Sequence, residues 1–450
     1  MIPNPQKINF DKIIRAPRYT SYPPANHFNS SVSSYQMEQW LSAIPAGSDL
    51  SIYIHIPFCR NICWFCACRT QGINRLQPLI SYVDTLKAEL DLIASRIDSS
   101  SRVTFLHLGG GTPTILPASV MASLLDHLRT RFSLADDLAF AVEIDPTEFD
   151  QPRLNSLIEA GLSRVSIGVQ DFNPDIQKAI GRLQSSELTA RTIDMIRSAG
   201  IDSINLDLIY GLPHQSKESF AATLEQITAL DPDRVAMFGY AHVPWMARRQ
   251  MLIDEHSLPS PKKRRELLEL GRQHFNANGM MPVGIDHFAR PDDKLVIAAK
   301  NRRLRRNFQG YTDDQSDILI GVGASAISRL PQGYAQNASG TTTYKDMIAG
   351  DKLGTCRGHR IDSNDALHGF VIEQLLCHFG IHTGELGQRF GPAGAALAKD
   401  IRANASKLGL VKGETPDWLE IEHDPHVNAR ITALYFDRYH DTSGSHSLTV

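Results

Sequence analysis

A parallel α/β fold is predicted for this chain, and three observations predict it. Six short apolar runs recur between residues 52 and 240. Stretches with helical i, i+3, i+4 periodicity separate them. The runs are apolar almost throughout, as strands buried on both faces of a sheet are. Strands alternating with helices mean βα units with right-handed crossovers, which close naturally as a barrel or partial barrel. An open doubly wound sheet is the alternative.

The elements follow in order. Residues 1–48 are expected to form an extended or helical N-terminal segment. In Pro17-Arg18-Tyr19-Thr20-Ser21-Tyr22-Pro23-Pro24, each residue before a proline is pushed out of the helical region. The predicted strands are Ile52–Ile56, Val103–Leu108, Leu138–Ile144, Val165–Val169, Ile204–Ile209 and Val235–Tyr240. Leu79, Val83, Leu86, Leu90 and Ile93 mark an amphipathic helix between the first two. Similar helices fit about 118–132, 185–198 and 217–229, and another fits 262–277. Short strands fit Met281–Ile285 and Ile318–Gly321. The stretch Ala349–Gly354 reads as a boundary, so 49–350 is expected to be one domain with its extension. Residues 360–450 read as a small, mostly helical domain, with Phe370, Ile372, Leu375 and Leu376 on one segment. It ends in a short strand, Trp418–Ile421, and a helix around 427–438.

With 450 residues and 42% hydrophobic side chains, the chain can bury a sizeable core. No run approaches the roughly 20 apolar residues of a membrane span. The N-terminus lacks the basic-then-apolar layout of a secretion signal. A soluble cytoplasmic protein is expected. The net charge of −3 gives no global attraction to nucleic acid or to an anionic membrane.

Four of the six cysteines, Cys59, Cys63, Cys66 and Cys68, fall within ten residues just after the first predicted strand. Clustered thiols in a reducing compartment bind metal or do redox work. Three at this spacing can wrap one face of a cubic iron–sulfur cluster, which takes one thiolate per iron when fully ligated. Structural zinc, with four ligands, is an alternative, but the paired knuckles of zinc ribbons are absent. A thioredoxin-like reading of Cys63 and Cys66 leaves the other two thiols without a role. Cys356 and Cys377 stand apart and read as small buried or half-buried side chains.

Chemistry in parallel βα barrels gathers at the carboxyl ends of the strands, and the unusual polar residues sit there. Gly109, Gly110, Gly111 and Thr112 follow the second strand, Glu143 closes the third with Asp145 after it, and Gln170 and Asp171 close the fourth. Asp207 lies late in the fifth strand, and Tyr240, Ala241 and His242 end the sixth. The glycines could bring backbone groups up to a polar cofactor or simply make a tight turn. Asp207 interrupts an apolar run, so it needs a partner.

These residues resemble a family. The Cys-x3-Cys-x2-Cys run followed by a glycine-rich loop is similar to the radical S-adenosylmethionine (SAM) enzymes. Within them, Tyr53–Cys59, Cys68, Gly109–Thr114, Gly168–Phe172, Asp207–Pro213, Asp286–Pro291, Pro17–Pro23 and Arg306–Tyr311 resemble the oxygen-independent coproporphyrinogen III oxidase (coproporphyrinogen dehydrogenase) family. The resemblance is close over residues 15–340 and loose over the last ~90. It implies a partial (β/α)6 TIM-like barrel, the radical SAM core. It implies one 4Fe-4S cluster on Cys59, Cys63 and Cys66, and two SAM molecules. Tyr53, Gly110, Glu143 and Ile327 would meet the first SAM. Phe65, Gly111, Thr112, Gln170, Arg182, Asp207 and Ala241 would meet the second. Cys68 is then not a ligand and its role is open.

The implied reaction turns two propionates of coproporphyrinogen III into the vinyls of protoporphyrinogen IX, in haem biosynthesis. It implies a flavodoxin- or ferredoxin-like electron donor, an unknown electron acceptor and a monomeric enzyme. Arginine matches a carboxylate with a planar donor fork, so Arg290 and Arg306 are the candidates for the substrate's carboxylates. A haem-binding chaperone relative is the alternative. It commonly lacks the fourth cysteine and the Arg18-Tyr19-Thr20-Ser21-Tyr22-Pro23 segment, and both are present here.

Overall fold

The computed structural model describes residues 16–440, so the first part of the N-terminal segment lies outside the described residues. The chain divides into two compact units. Among the described residues, the larger comprises 28–263 and 316–360, and the smaller comprises 16–27, 264–315 and 361–440.

The larger unit is built on six parallel strands: β1 (Asp49–Ile56), β2 (Arg102–Gly110), β3 (Ser133–Ile144), β4 (Arg164–Gln170), β5 (Ser203–Tyr210) and β6 (Arg234–Gly239). They pair in sequence order, each parallel to the next. All six predicted strands are present. Their apolar character has the expected cause: in β1 every residue from Leu50 to Ile56 is buried, and each large side chain so buried contributes about 1.5–3 kcal/mol. Beside β1 lies parallel β7 (Leu319–Val322). It continues through antiparallel β8 (Ile327–Leu330), β9 (Gly333–Asn337) and β10 (Thr355–Arg360). Only β7 was anticipated. The stretch Ala349–Gly354 joins the helix Thr341–Ala349 to β10 within this unit.

Helices α1 (Gln77–Ala94), α2 (Ala118–Arg131), α3 (Gln151–Glu159), α4 (Ser186–Ser198) and α5 (Lys217–Ala229) make the crossovers. The apolar stripe of α1 is buried as its spacing predicts. Side chains fix the starts of the later helices. Ser185 accepts from the Leu188 N–H of α4. Ser216 and Ser219 form a reciprocal capping box on α5. The sequence reading missed α3, a nine-residue helix with Pro152 in its first turn and only Leu154 and Leu157 buried. Such a helix is too short for its periodicity to stand out.

The smaller unit is mostly helical, with all but the first three residues of the helix Pro261–Ala277 and the helices Lys294–Lys300, Ser363–His378, Thr383–Ala403 and Pro425–Ala433. The strand Trp418–Ile421 is present. It is the middle of a three-stranded antiparallel sheet with Gly380–His382 and Leu410–Lys412. Val371, Ile372, Leu375, Ile381, Ile401 and Phe436 are among its core residues. The extended segment near the N-terminus is tied into that core. Tyr19 OH donates to Asp437 at 3.0 Å, and Tyr22 OH donates to the Phe436 carbonyl at 3.2 Å. Among the described residues no helix is long and apolar enough to cross a membrane.

Candidate active site at the strand ends of the larger unit

The cysteine loop has little regular structure of its own, so its neighbours hold it. Phe58–Cys59 pairs in parallel with Gln71–Gly72 and closes the base of the loop. The Trp64 N–H donates to the Ile180 carbonyl at 2.8 Å. Trp64 and Phe65 pack against Ile176, Ile180, Leu212 and Tyr240. From the segment after β6, Gln250 Nε2 donates to the Phe65 carbonyl at 2.7 Å. Arg249 donates to the Thr70 hydroxyl at 2.7 Å and to its carbonyl at 3.0 Å.

Cys59, Cys63 and Cys66 are half-buried and Cys68 is exposed. Burial pushes the Cys59 thiol up to about 11 and raises Cys63. A hydrogen bond from Cys68 lowers Cys66 to about 6, and the same bond raises Cys68. A bound cation reverses the burial effect, because metal coordination deprotonates thiols. Among the described residues no three His, Cys, Asp or Glu side chains are arranged to hold a single metal ion.

Arg182 reaches the same loop. Its Nη1 lies 3.5 Å from Cys63 Sγ and 3.2 Å from Asp145 Oδ2. Its Nη2 donates to the Gly168 carbonyl at 2.8 Å and to Gln184 Oε1 at 2.9 Å. Burial would lower this guanidinium, but Asp145 and Cys63 outweigh it and raise it.

A second cluster forms where β1, β2 and β3 end. Glu143 Oε2 accepts from the Gly110 N–H at 3.0 Å, and its Oε1 lies 3.3 Å from His107 Nε2. Burial would raise this carboxyl, yet His107 and the Gly110 N–H bring it below the ordinary glutamate value. Gly110 has φ +116°, and a Cβ there would lie 2.5 Å from the His55 ring, so only glycine fits. Tyr53 OH lies 2.9 Å from His55 Nδ1, and its ring centroid is 5.5 Å from that of His107.

Comparison with known proteins gives this rim its context. Residues 53–227 match the radical SAM superfamily. An oxygen-independent coproporphyrinogen III oxidase from Paracoccus denitrificans is 47% identical over 436 residues, 97% of each chain. One from Pseudomonas aeruginosa is 38% identical over 95% of this chain and 94% of its own. A solved structure of the coproporphyrinogen III oxidase from Escherichia coli, a radical SAM enzyme, matches with a TM-score of 0.88 and 33% identity. It covers 94% of this chain and 98% of that one.

The chain belongs to the oxygen-independent coproporphyrinogen III oxidase family. Radical SAM enzymes carry a 4Fe-4S cluster and use SAM. The match to the Paracoccus denitrificans relative spans 97% of this chain, so it reaches into the last ninety or so residues.

The other singled-out residues fall into recognisable surroundings. Ile327 starts β8, and a Cβ on Gly321 would lie 2.6 Å from its carbonyl oxygen. Gly321 is the register partner of Tyr53, so Ile327 and Tyr53 flank one β7 residue. The Gly111 N–H donates to the Ile56 carbonyl and the Thr112 N–H to the Phe58 carbonyl, both at 2.8 Å, so both residues sit under the cysteine loop. Gln250 donates to the carbonyls of both Phe65 and Ala241, linking the loop to the end of β6. Gln170 is buried with φ +71° at the end of β4. Asp207 is the register partner of Gly168 and finds the partner it needs, accepting from Asn205 at 2.7 Å and Ser166 at 3.3 Å. Asp171 turns inward as a loop anchor, bound by Gln215 and Thr223.

Arg290 and Arg306 belong to the smaller unit. Arg306 is buried, 3.6 Å from Asp286 and 4.5 Å from the centroid of the Tyr311 ring. Its Nε and Nη1 are buried without a hydrogen-bond partner. Arg290 is half-buried. Cys377 is buried as expected, but Cys356 is exposed, because it lies on β10 at the end of the antiparallel extension. Sequence reasoning passed over His55, His107 and Gln250. The two histidines did carry a signal, as polar residues inside apolar strands. Gln250 carried none.

Proposed function

We propose that this chain carries out the oxygen-independent oxidative decarboxylation of coproporphyrinogen III to protoporphyrinogen IX, consuming two SAM. The observation that carries the reading is the near-full-length likeness to coproporphyrinogen III oxidases. It accompanies a rim where the cysteine loop, the Gly110 turn and Glu143 lie at neighbouring strand ends.

Cys59, Cys63 and Cys66 would hold the 4Fe-4S cluster, and Cys68 would stay outside its ligand set. When bound, the cluster and SAM supply the one-electron cleavage that removes hydrogen from a propionate β-carbon. Tyr53, Gly110, Glu143 and Ile327 would bind the first SAM, with Glu143 placed to accept from an amino group. Phe65, Gly111, Thr112, Gln170, Arg182, Asp207 and Ala241 would bind the second. The support is their placement at the ends of β1, β2, β4, β5 and β6 and in the loops that follow them. Trp64, Phe65 and Tyr240 line the loop with apolar surface that helps keep water away. Arg290 and Arg306 would meet substrate carboxylates, and the two unpartnered nitrogens of Arg306 support that role.

For each propionate, one hydrogen atom, CO2 and one electron leave the substrate. A flavodoxin- or ferredoxin-like protein would supply the priming electron, and an acceptor not yet identified would take the surplus one. The enzyme is expected to act as a cytoplasmic monomer. The test is anaerobic incubation of the cluster-loaded chain with reductant, SAM and coproporphyrinogen III. CO2 release and the fluorescence of the oxidised product are scored. SAM cleavage without new vinyl groups would count against the substrate, and bound haem without turnover would favour the chaperone relative.

A further inference from the structure

Helix α1 carries a carboxylate that the proposed chemistry does not use. Glu89 is 1% exposed. Its Oε2 accepts from the Gly323 N–H at 2.7 Å and from Tyr344 OH at 2.6 Å, and its Oε1 accepts from Asn337 Nδ2 at 2.7 Å. These donors are neutral, and so is the Gly354 N–H that also bonds the carboxyl. Burying a carboxylate without a counter-charge is costly, so its hydrogen bonds must hold it.

What Glu89 grips is the tight turn from β7 into β8. Gly323 has φ +104°, and a Cβ there would lie 2.7 Å from the His55 carbonyl oxygen and 2.7 Å from Tyr82 OH. Ser325 is also left-handed, at φ +64°, a conformation that costs a non-glycine residue energy and needs outside support. Two turns earlier on α1, Tyr82 donates to the His55 carbonyl at 2.9 Å and accepts from the Ala324 N–H at 2.8 Å. Asn337 also donates to the Gly323 carbonyl at 3.0 Å. The turn delivers Ala326 onto Tyr53, with which it forms a small buried cluster, and then opens into Ile327.

We infer that Glu89 is a positioning residue for the SAM assigned to Tyr53 and Ile327. It fixes the Gly323–Ala326 turn and thereby the separation of those two residues across β7. The inference rests on that assignment.

The test uses the cluster-loaded full chain with Glu89→Ala and Tyr344→Phe. Equilibrium SAM binding, iron content, and hydrogen exchange of the peptide containing Gly323 and Ala324 are measured. Glu89→Ala strands all of these donors and should weaken SAM binding about tenfold, a difference of about 1.4 kcal/mol, at unchanged iron content and with faster exchange of the turn. Tyr344→Phe removes one donor and should give a smaller loss with the same exchange signature, which keeps the test decisive if Glu89→Ala does not fold. Glu89→Gln, which keeps an acceptor, should recover part of the affinity. Faster exchange with SAM affinity within twofold of the parent would overturn the inference. If Tyr53→Ala and Ile327→Gly also leave SAM affinity unchanged, it is the SAM assignment that has failed.

Discussion

Arg182 and Cys63, 119 residues apart in sequence, meet with the Arg182 Nη1 3.5 Å from the Cys63 sulfur. The contact puts a fixed positive charge beside a sulfur assigned to the cluster. Hydrogen bonds to such sulfurs and local charge set a cluster's reduction potential. Arg182→Gln would leave Asp145 near Cys63 without its guanidinium, so the cluster should become harder to reduce. Arg182→Lys keeps the charge but loses the fork that also reaches Gly168 and Gln184, and should fall between the two. Potentiometric titration followed by electron paramagnetic resonance reads the shift. Potentials equal to the parent's in both variants would remove Arg182 from this role.

The four thiols should separate into two kinds. Cys59→Ala should abolish cluster binding and 5′-deoxyadenosine formation, because a cubane loses an iron anchor. Cys68→Ser should keep iron near the parent level, since Cys68 lies exposed beside Cys66 and is bound to it by hydrogen bonds. Iron and labile sulfide analysis decides between them. An equal loss of iron in both variants would make Cys68 a ligand.

The strands of the barrel-like core were legible because burial on both faces demands long apolar runs. The cysteine loop was legible because thiols at that spacing serve few purposes. The extension β8–β10 was not legible. Its strands are short, and buried Ser328, Gln336 and Asn337 interrupt the apolar pattern. Those polar residues are explained only by the fold, since Ser328 caps the Gly321 N–H and Asn337 bridges Glu89 to Gly323. Asp171 misled for the opposite reason. It follows Gln170 at the rim, but the left-handed backbone at Gln170 precedes a carboxylate that points into the protein.

Glu143 should govern SAM affinity through two contacts at once. Glu143→Ala removes the acceptor for the Gly110 N–H and the partner of His107. Each lost hydrogen bond to a charged group costs about 1.5–3 kcal/mol, so SAM binding should fall tenfold or more. Gly110→Ala should be comparably severe, because its Cβ would collide with the His55 ring. Calorimetric titration of the cluster-loaded variants checks both. Binding within twofold of the parent in Glu143→Ala would show that this carboxylate only shapes the turn.

Glu89 also ties stability to pH, with a sign opposite to that of a salt-bridged carboxylate. Burial raises its carboxyl to about 7, although Tyr344, Gly323 and Asn337 pull it down. The folded chain therefore holds a proton on Glu89 that the unfolded chain releases above the ordinary glutamate value of 4.5. Stability from this group is complete below about 4.5 and is lost as pH rises towards about 7, after which it stays level. At 1.36 kcal/mol per unit the swing is on the order of 3 kcal/mol. The phenols that face it, Tyr82 and Tyr344, are both raised and stay neutral throughout this window. Glu89→Gln mimics the protonated form at every pH. The stability of the parent relative to Glu89→Gln should therefore decline from about pH 4.5 to about pH 7 and then level off, as measured by chemical denaturation. A difference that stays constant across that range would mean that Glu89 keeps an ordinary carboxyl in the folded protein.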